Sequence, residues 1–245
     1  VQPRAAAEAA IDGVPLRLLS INLYALNPRV ADAAEVIRNA DADVLFLQEL
    51  TPAHHAALAR GGAFDRYRYG VADPRINSTG SAIYAKRPLE GGEAWWAADQ
   101  PMTRATLRVG EGSLRLYNVH TISPLTRVRD WNRQLDAVAQ AVRAEVGPVL
   151  LAGDFNATRD HRGFRRLLDL GWRDAHDAVG RPGATTWPAG KRRTPTLIRL
   201  DHVLLPDGIA ARRVVELPAV GSDHRPILAD LLLPERNSFG GAAGL

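Results

Sequence analysis

The sequence predicts an α/β protein in which two packed, mixed and mostly antiparallel sheets are flanked by helices. Three observations lead there. Short apolar runs alternate with segments whose apolar residues recur at helical spacing. The middle of the chain carries several strands in close succession, separated by glycine turns. Helices accompany the strands before and after that stretch, so sheets should form the interior and helices cover them. A length of 245 residues fits one large domain, and 46% hydrophobic against 24% charged residues is enough for a sizeable core.

Residues 1–13 are Ala-rich without an apolar period and read as a loose lead-in. The domain is expected over 14–235, with a Gly- and Ala-rich flexible tail at 236–245. Leu16 to Asn22 is a strand ending in a polar residue. Val30, Ala33, Ala34 and Ile37 mark a surface helix. Val44 to Glu49 is apolar on both faces and so a central strand. Thr51-Pro52 opens a helix, with an N-cap followed by proline. From Tyr67 the spacing shortens. Tyr67 to Ala72, Gly80 to Ala85, Glu93 to Ala97, Thr103 to Val109 and Leu114 to His120 predict one antiparallel meander. Trp131, Leu135, Val138 and Val142 share a helix face. The strand Val149 to Asn156 follows, then a helix with Phe164, Leu167 and Leu168. Three last strands are expected at Leu197 to Leu205, Ala210 to Leu217 and Ile227 to Leu233.

The absence of cysteine excludes disulfides, thiolate metal sites and a thiol nucleophile. No stretch is long and apolar enough to span a bilayer. The net charge is +4, and Lys86 and Lys191 are the only lysines. Arginine suits bidentate contact with phosphate, but an Arg- and Ala-rich composition is equally a property of a genome. The first residue is Val1, and the expectation is an exported or membrane-tethered protein whose N-terminal segment has been removed, rather than a cytoplasmic one. A monomer with no obligate protein partner is expected.

The recurring feature is a strand, or the loop after it, that ends in an acid, amide or histidine. Val149 to Gly153 is a buried run, after which Asp154 and Asn156 stand at alternate positions. Along the chain the set is Asn22, Glu49, His120, Asp154, Asn156, Asp201, Asp223 and His224. Any one alone reads as a cap or a hydrogen-bonded core residue. Together they gather carboxylates, amides and imidazoles at one edge of a core, with few lysines to neutralise them. Oxygen donors such as Glu49, Asp223 and the amide oxygen of Asn22 suit a hard cation, Mg²⁺ first and Mn²⁺ second. Such a cation can polarise a phosphoryl oxygen.

The segments Ser20-Ile21-Asn22, Leu47-Gln48-Glu49, Asn118-Val119-His120, Gly153-Asp154-Phe155-Asn156, Leu200-Asp201-His202-Val203 and Ser222-Asp223-His224-Arg225-Pro226 carry a resemblance. In this order the chain resembles the endonuclease/exonuclease/phosphatase superfamily, from about Leu16 to Leu233. The resemblance implies the DNase I-like fold, a four-layer αββα sandwich, and metal-dependent phosphoester hydrolysis. It implies that Glu49 is the main metal ligand, helped by Asn22 and Asp223. Asp154 would orient or deprotonate the attacking water, and Asn156 would hold Asp154 or a phosphate oxygen. His224 would contact the scissile phosphate, oriented by Asp201. His120 resembles the second histidine of DNase I-like and sphingomyelinase-like members. DNase I pairs it with a glutamate, where this chain has Asn77-Ser78-Thr79-Gly80 and no carboxylate. Asn77 becomes a candidate phosphate contact, and Arg104 a candidate clamp beside its plainer reading as a surface arginine.

For the substrate, nucleic acid is favoured by the basic balance and by Arg127, Arg129, Arg192 and Arg193. Trp95, Trp96 and Trp187 could stack on bases, though tryptophans in strands are more often core. The alternative is a phosphatase or phospholipase-type hydrolase of a small or lipid phosphoester, which compact loops suit. A non-catalytic binding module ranks last, because every expected site residue is present.

Overall fold

The computed structural model describes residues 13–190 and 195–234. The expected tail, the lead-in apart from Gly13, and Arg192 and Arg193 lie outside them. The chain opens with β1 (Gly13–Asn22), α1 (Val30–Ala40) and β2 (Val44–Gln48), and β2 lies parallel to β1. Next come α2 (Pro52–Arg60), β3 (Tyr69–Asp73) and β4 (Ser81–Ala85). The second half begins with β5 (Leu89–Ala97), β6 (Gln100–Val109) and β7 (Gly112–His120). The helix α3 (Pro124–Arg143) leads to β8 (Val149–Asp154), parallel to β7. Then follow α4 (Arg162–Asp169), β9 (Arg173–Asp174) and the single turn α5 (Ala175–Ala178). β10 (Asp201–Leu205), β11 (Ala210–Glu216) and β12 (Ile227–Pro234) complete the described chain.

Two six-stranded sheets result, in the orders β11-β12-β1-β2-β4-β3 and β5-β6-β7-β8-β10-β9. Leu16 and Leu18 of β1, Phe46 of β2, Leu116 of β7 and Leu150 of β8 meet in the layer between the sheets. The odd-face partners Leu19, Ile21, Leu45 and Leu47 pack outward against Ala33 and Ile37 of α1 and Leu58 of α2. On the other sheet Tyr117, Val119 and Leu151 pack against Trp131, Leu135 and Val138 of α3 and Phe164 of α4. The central strands are therefore apolar on both faces, as buried parallel pairs require. Four layers, helix–sheet–sheet–helix, are the outcome. The two parallel pairs sit in facing sheets with their carboxyl ends together, which builds the site.

The expected single meander is split. β3 and β4 pair in the first sheet, and β5, β6 and β7 in the second. Lys86, Arg87 and Pro88 alone carry the chain between sheets. Packed sheets lie about 10 Å apart, a span three residues can cover, so short spacing does not distinguish a hairpin from a crossing. The strand expected from Leu197 starts only at Asp201, and Ile198 makes an isolated bridge to Trp187 instead. β9 and α5 have too few residues to leave a period.

Candidate active site

Alternation along the central strands decides which side chains reach the site. Leu150 and Ala152 of β8 line the inter-sheet layer, and Asp154 is next in step. Leu114 and Leu116 of β7 are followed by Asn118 and His120, Leu16 and Leu18 of β1 by Ser20 and Asn22, and Val44 and Phe46 of β2 by Gln48. The apolar layer thus turns polar at one end. Two residues leave the strands in the left-handed region, Glu49 at φ 56° and Asn156 at φ 46°. Strained backbone of this kind is held only where surrounding contacts over-determine it. Gly153 lets β7 and β8 close below the site. Its φ is 137°, and a Cβ there would lie 2.0 Å from the Val119 carbonyl oxygen.

The polar end is one connected set. Asn22 donates its amide to Glu49 Oε1 at 3.1 Å and to Asp154 Oδ2 at 2.9 Å. Glu49 Oε2 accepts from the Ala25 backbone N–H at 2.7 Å. Asp154 Oδ1 accepts from the Asn156 backbone N–H at 2.8 Å, and the Asn156 amide donates to the Thr121 carbonyl at 2.8 Å. Asp201 stands opposite Asp154 in the β8–β10 register and holds His224 Nδ1 at 2.8 Å. His224 Nε2 is 3.6 Å from Asp154 Oδ2. His120 Nε2 is 3.8 Å from both Glu49 Oε1 and Asp154 Oδ2. Asp223 is half-buried and accepts from the Trp187 indole at 3.2 Å. Glu49, His120, Asp154, Asn156, Asp223 and His224 line a cleft of about 810 Å³.

Burial sets the electrostatics. It pushes the Asp154 carboxyl up to about 6, against the charge of His224, which pulls the other way. Burial also opposes a charged His224, but the charges of Asp201 and Asp154 and the Asp201 hydrogen bond outweigh it. They raise the imidazole to about 10. One oxygen each of Asp154 and Asp201 and one nitrogen of His224 lie within 4.8 Å of one another. Nδ1 of His224 is committed to Asp201, which leaves Nε2 facing Asp154.

Eight of the expected residues therefore converge: Asn22, Glu49, His120, Asp154, Asn156, Asp201, Asp223 and His224. Three expectations change. Arg104 is not a clamp. It shares β6 with Thr103, and Thr103 faces Asn118 in the inter-sheet layer. Arg104 points to the opposite face, where it binds Glu93 and the Tyr117 hydroxyl and covers the Trp95 ring. Asn77 turns its oxygen onto the Thr79 backbone N–H and hydroxyl, an exposed Asx turn. Its neighbours Ser78 and Thr79 line the cleft in its place. The Asn22 amide turns its N–H groups to Glu49 and Asp154 and its oxygen to the Tyr24 backbone N–H at 2.9 Å, so in this arrangement the residue spaces two carboxylates. Among the described residues His120 has no carboxylate behind it, and its Nδ1 is buried without a partner there.

Other residues went unassigned from sequence. The Gln48 amide donates to Asn118 Oδ1 at 2.7 Å, and the Asn118 amide donates to the carbonyls of Leu47 and Ala82 and to Thr103 Oγ1. This joins the two sheets directly beneath the site. Ser222 donates to the Asn22 carbonyl at 2.7 Å and accepts from the His224 N–H, tying the Asp223-His224 loop to β1. Gln48 and Asn118 left a signal, a polar residue in step with the buried face. Ser222 left none beyond its neighbours.

Residues 19–224 match the model of the endonuclease/exonuclease/phosphatase family. The chain belongs to this family. A UPF0294 protein of Vibrio parahaemolyticus is 24% identical over 238 residues, which cover 93% of this chain and 81% of that protein. A UPF0294 protein of Vibrio cholerae is 25% identical over 231 residues, 89% and 78% of the two chains. Among solved structures, an endonuclease/exonuclease/phosphatase family protein of Bacteroides thetaiotaomicron superposes with a TM-score of 0.74 at 15% identity, covering 91% of this chain and all of that one. TDP2 of D. rerio, solved with a single-strand DNA product, gives 0.73 at 19% identity, with 89% and 98% covered. Both solved structures share the DNase I-like fold with this family member.

Proposed function

We propose that the protein hydrolyses a phosphodiester with the help of a divalent cation. One observation carries this reading. The Glu49 and Asp154 carboxylates face each other across the Asn22 amide, and the His224–Asp201 pair stands beside them at the floor of the cleft. The donors fit a hard cation such as Mg²⁺ or Mn²⁺. They are carboxylate oxygens with no thiolate available, and two of the carboxylates share a single amide as neutral spacer. Glu49 and Asp223 would hold it, with Asn22 keeping Glu49 apart from Asp154. When bound, the cation supplies polarisation of a phosphoryl oxygen and charge stabilisation at the leaving oxygen.

The protein side chains supply the rest. Asp154 is buried and raised towards neutrality, so it can accept a proton from an attacking water at Oδ2. Asn156 keeps Asp154 aimed through its backbone N–H. His224 is held in the charged form by Asp201 and turns Nε2 towards the cleft, where it donates to the phosphate as charge builds. His120 Nε2 offers a second donor from the other wall.

Glu49→Gln and His224→Ala test these roles. Each should lower turnover of bis(p-nitrophenyl) phosphate with Mg²⁺ or Mn²⁺ by about a thousandfold. Wild-type turnover in either variant, or activity on p-nitrophenyl phosphate alone, would count against the reading. Nucleic acid as the source of the diester draws support from the likeness to TDP2 and from the exposed Arg127 and Arg129. Against it, Arg104 and Arg115 are engaged by Glu93 and Glu145, and Trp95 packs edge-on to Tyr117.

A further inference from the structure

Most of the exposed large apolar side chains of the described residues gather at one end of the molecule. β1, β2, β7 and β8 all finish at the site, so loops that leave those strands, or enter their antiparallel neighbours there, surround the cleft. Leu26 follows β1 and is 77% exposed. Ile76 lies between β3 and β4 and is 93% exposed, two residues before the cleft-lining Ser78. Trp96 is the last residue but one of β5, beside the turn into β6 where Asp99 and Gln100 line the cleft. Leu125 and Val128, 88% and 53% exposed, stand on the first turns of α3, where the helix is broken at Arg127. Leu197 and Ile198 precede β10. Among the described residues only Tyr69 and Val146 share this exposure elsewhere, and both lie at the opposite strand ends, Tyr69 as the first residue of β3 and Val146 before β8.

Scattered apolar side chains are ordinary on a surface, but a ring of them around a cleft marks an interaction site. The ring is not one groove or helix face, as a docked peptide or helix needs. It is a set of separate tips on five loops, interspersed with cations. Arg127 and Arg129 flank Val128, and Arg75 lies over Trp96. Asp73 and Asp130 temper two of them, while Arg127 remains 62% exposed at its side chain. Apolar tips with interleaved arginines suit the headgroup region of an anionic bilayer, where each tip enters the acyl boundary and each guanidinium meets a phosphate. Inside the rim the same wall continues as Ile122, Pro124 and Leu200. No described helix is long and apolar enough to cross a membrane.

We propose that the rim docks the protein on an anionic lipid surface, so that the cleft opens onto phosphodiesters displayed there. The substrate part of this inference rests on the hydrolase reading above; the docking part does not. The test uses flotation with vesicles of phosphatidylglycerol and phosphatidylcholine in equal parts, beside retention by a single-stranded oligonucleotide. The wild type should float. The triple variant Leu26→Asn, Val128→Asn, Leu197→Asn should partition about tenfold less. None of these three lines the cleft, so its rate on bis(p-nitrophenyl) phosphate should equal the wild-type rate, which also reports that it is folded. A wild type that stays unbound overturns the proposal. So does a triple variant that floats as well as the wild type, or retention by the oligonucleotide without flotation. Failure of the hydrolase reading has a different signature, flotation intact with no turnover of the soluble diester.

Discussion

At the scale of single residues, position within the strand period matters more than chemical type. Asp154 and Asn22 are buried and polar because they are in step with the inter-sheet face at the point where that layer ends. Arg104 shows the converse. An arginine next to a site looks like a phosphate ligand, yet one step along a strand reverses the face. Arg104 joins Glu93, Tyr117 and Trp95 on the helix-covered side of the second sheet. Arg104→Ala should therefore leave kcat/KM on a soluble diester within about twofold, while lowering stability in urea by roughly 1 kcal/mol through one charged hydrogen bond and a part-exposed ion pair. A large rise in KM without loss of stability would return Arg104 to the site. The convergence of Glu49, Asp154, Asp201 and His224 was legible because each ends, begins or adjoins a strand. The orientation of Asn22 was not, because it depends on an N–H two residues later in the turn.

At the scale of elements, sequence periodicity identified nearly every long strand and helix, including the Thr51 cap of α2, whose hydroxyl accepts from the His54 N–H. What it could not decide was partnership. β4 and β5 are three residues apart and belong to different sheets. The feature that locks those sheets together under the site is the Gln48–Asn118 pair, since Asn118 reaches from β7 to the carbonyls of Leu47 and Ala82 on the facing sheet. A fully buried amide making four such bonds is stabilising only while it is satisfied. Asn118→Leu keeps the volume and removes all of them, leaving the Gln48 amide short of its best acceptor. A loss of about 2–3 kcal/mol is expected in urea unfolding. Turnover should fall as well, because β7 carries His120 two residues later. An unchanged midpoint would mean the sheets are held by the apolar layer alone.

At the scale of the whole molecule, a second buried polar cluster closes the edges of the sandwich away from the cleft. Asp174 on β9 binds His202 Nδ1 at 2.6 Å, while His202 Nε2 meets the Ala157 carbonyl at 2.8 Å. His176 Nε2 meets Glu216 on β11 at 2.9 Å, and Arg199 reaches Asp174 at 3.4 Å and Asp177 at 2.8 Å. β9 borders the second sheet and β11 the first, so these charges bridge the two sheets. Burial opposes the Asp174 carboxylate, yet its hydrogen bonds with His176 and His202 and the charges of His202 and Arg199 hold it well below the usual range. Glu216 is lowered to about 2, again against burial, by its bonds with His176 and Arg181. Burial disfavours a charged His176, but Asp174 and Glu216 raise it above its ordinary value. The signs follow from linkage. The two carboxylates stabilise the fold above their unfolded values near 4, and that contribution is lost as pH falls towards their folded ones. The histidine contribution is complete below about 6.5 and is lost as pH rises through its raised value. The cluster should be strongest between roughly pH 5 and 6.5. Asp174→Asn leaves His202 and Arg199 facing a neutral amide, which should lower stability by about 3–5 kcal/mol. It should also flatten the acid limb of a plot of Tm against pH, since its depressed carboxyl no longer takes up a proton on unfolding. Calorimetry of both proteins across the acid and neutral range reads this directly, and two parallel profiles would show that Asp174 carries none of the acid sensitivity.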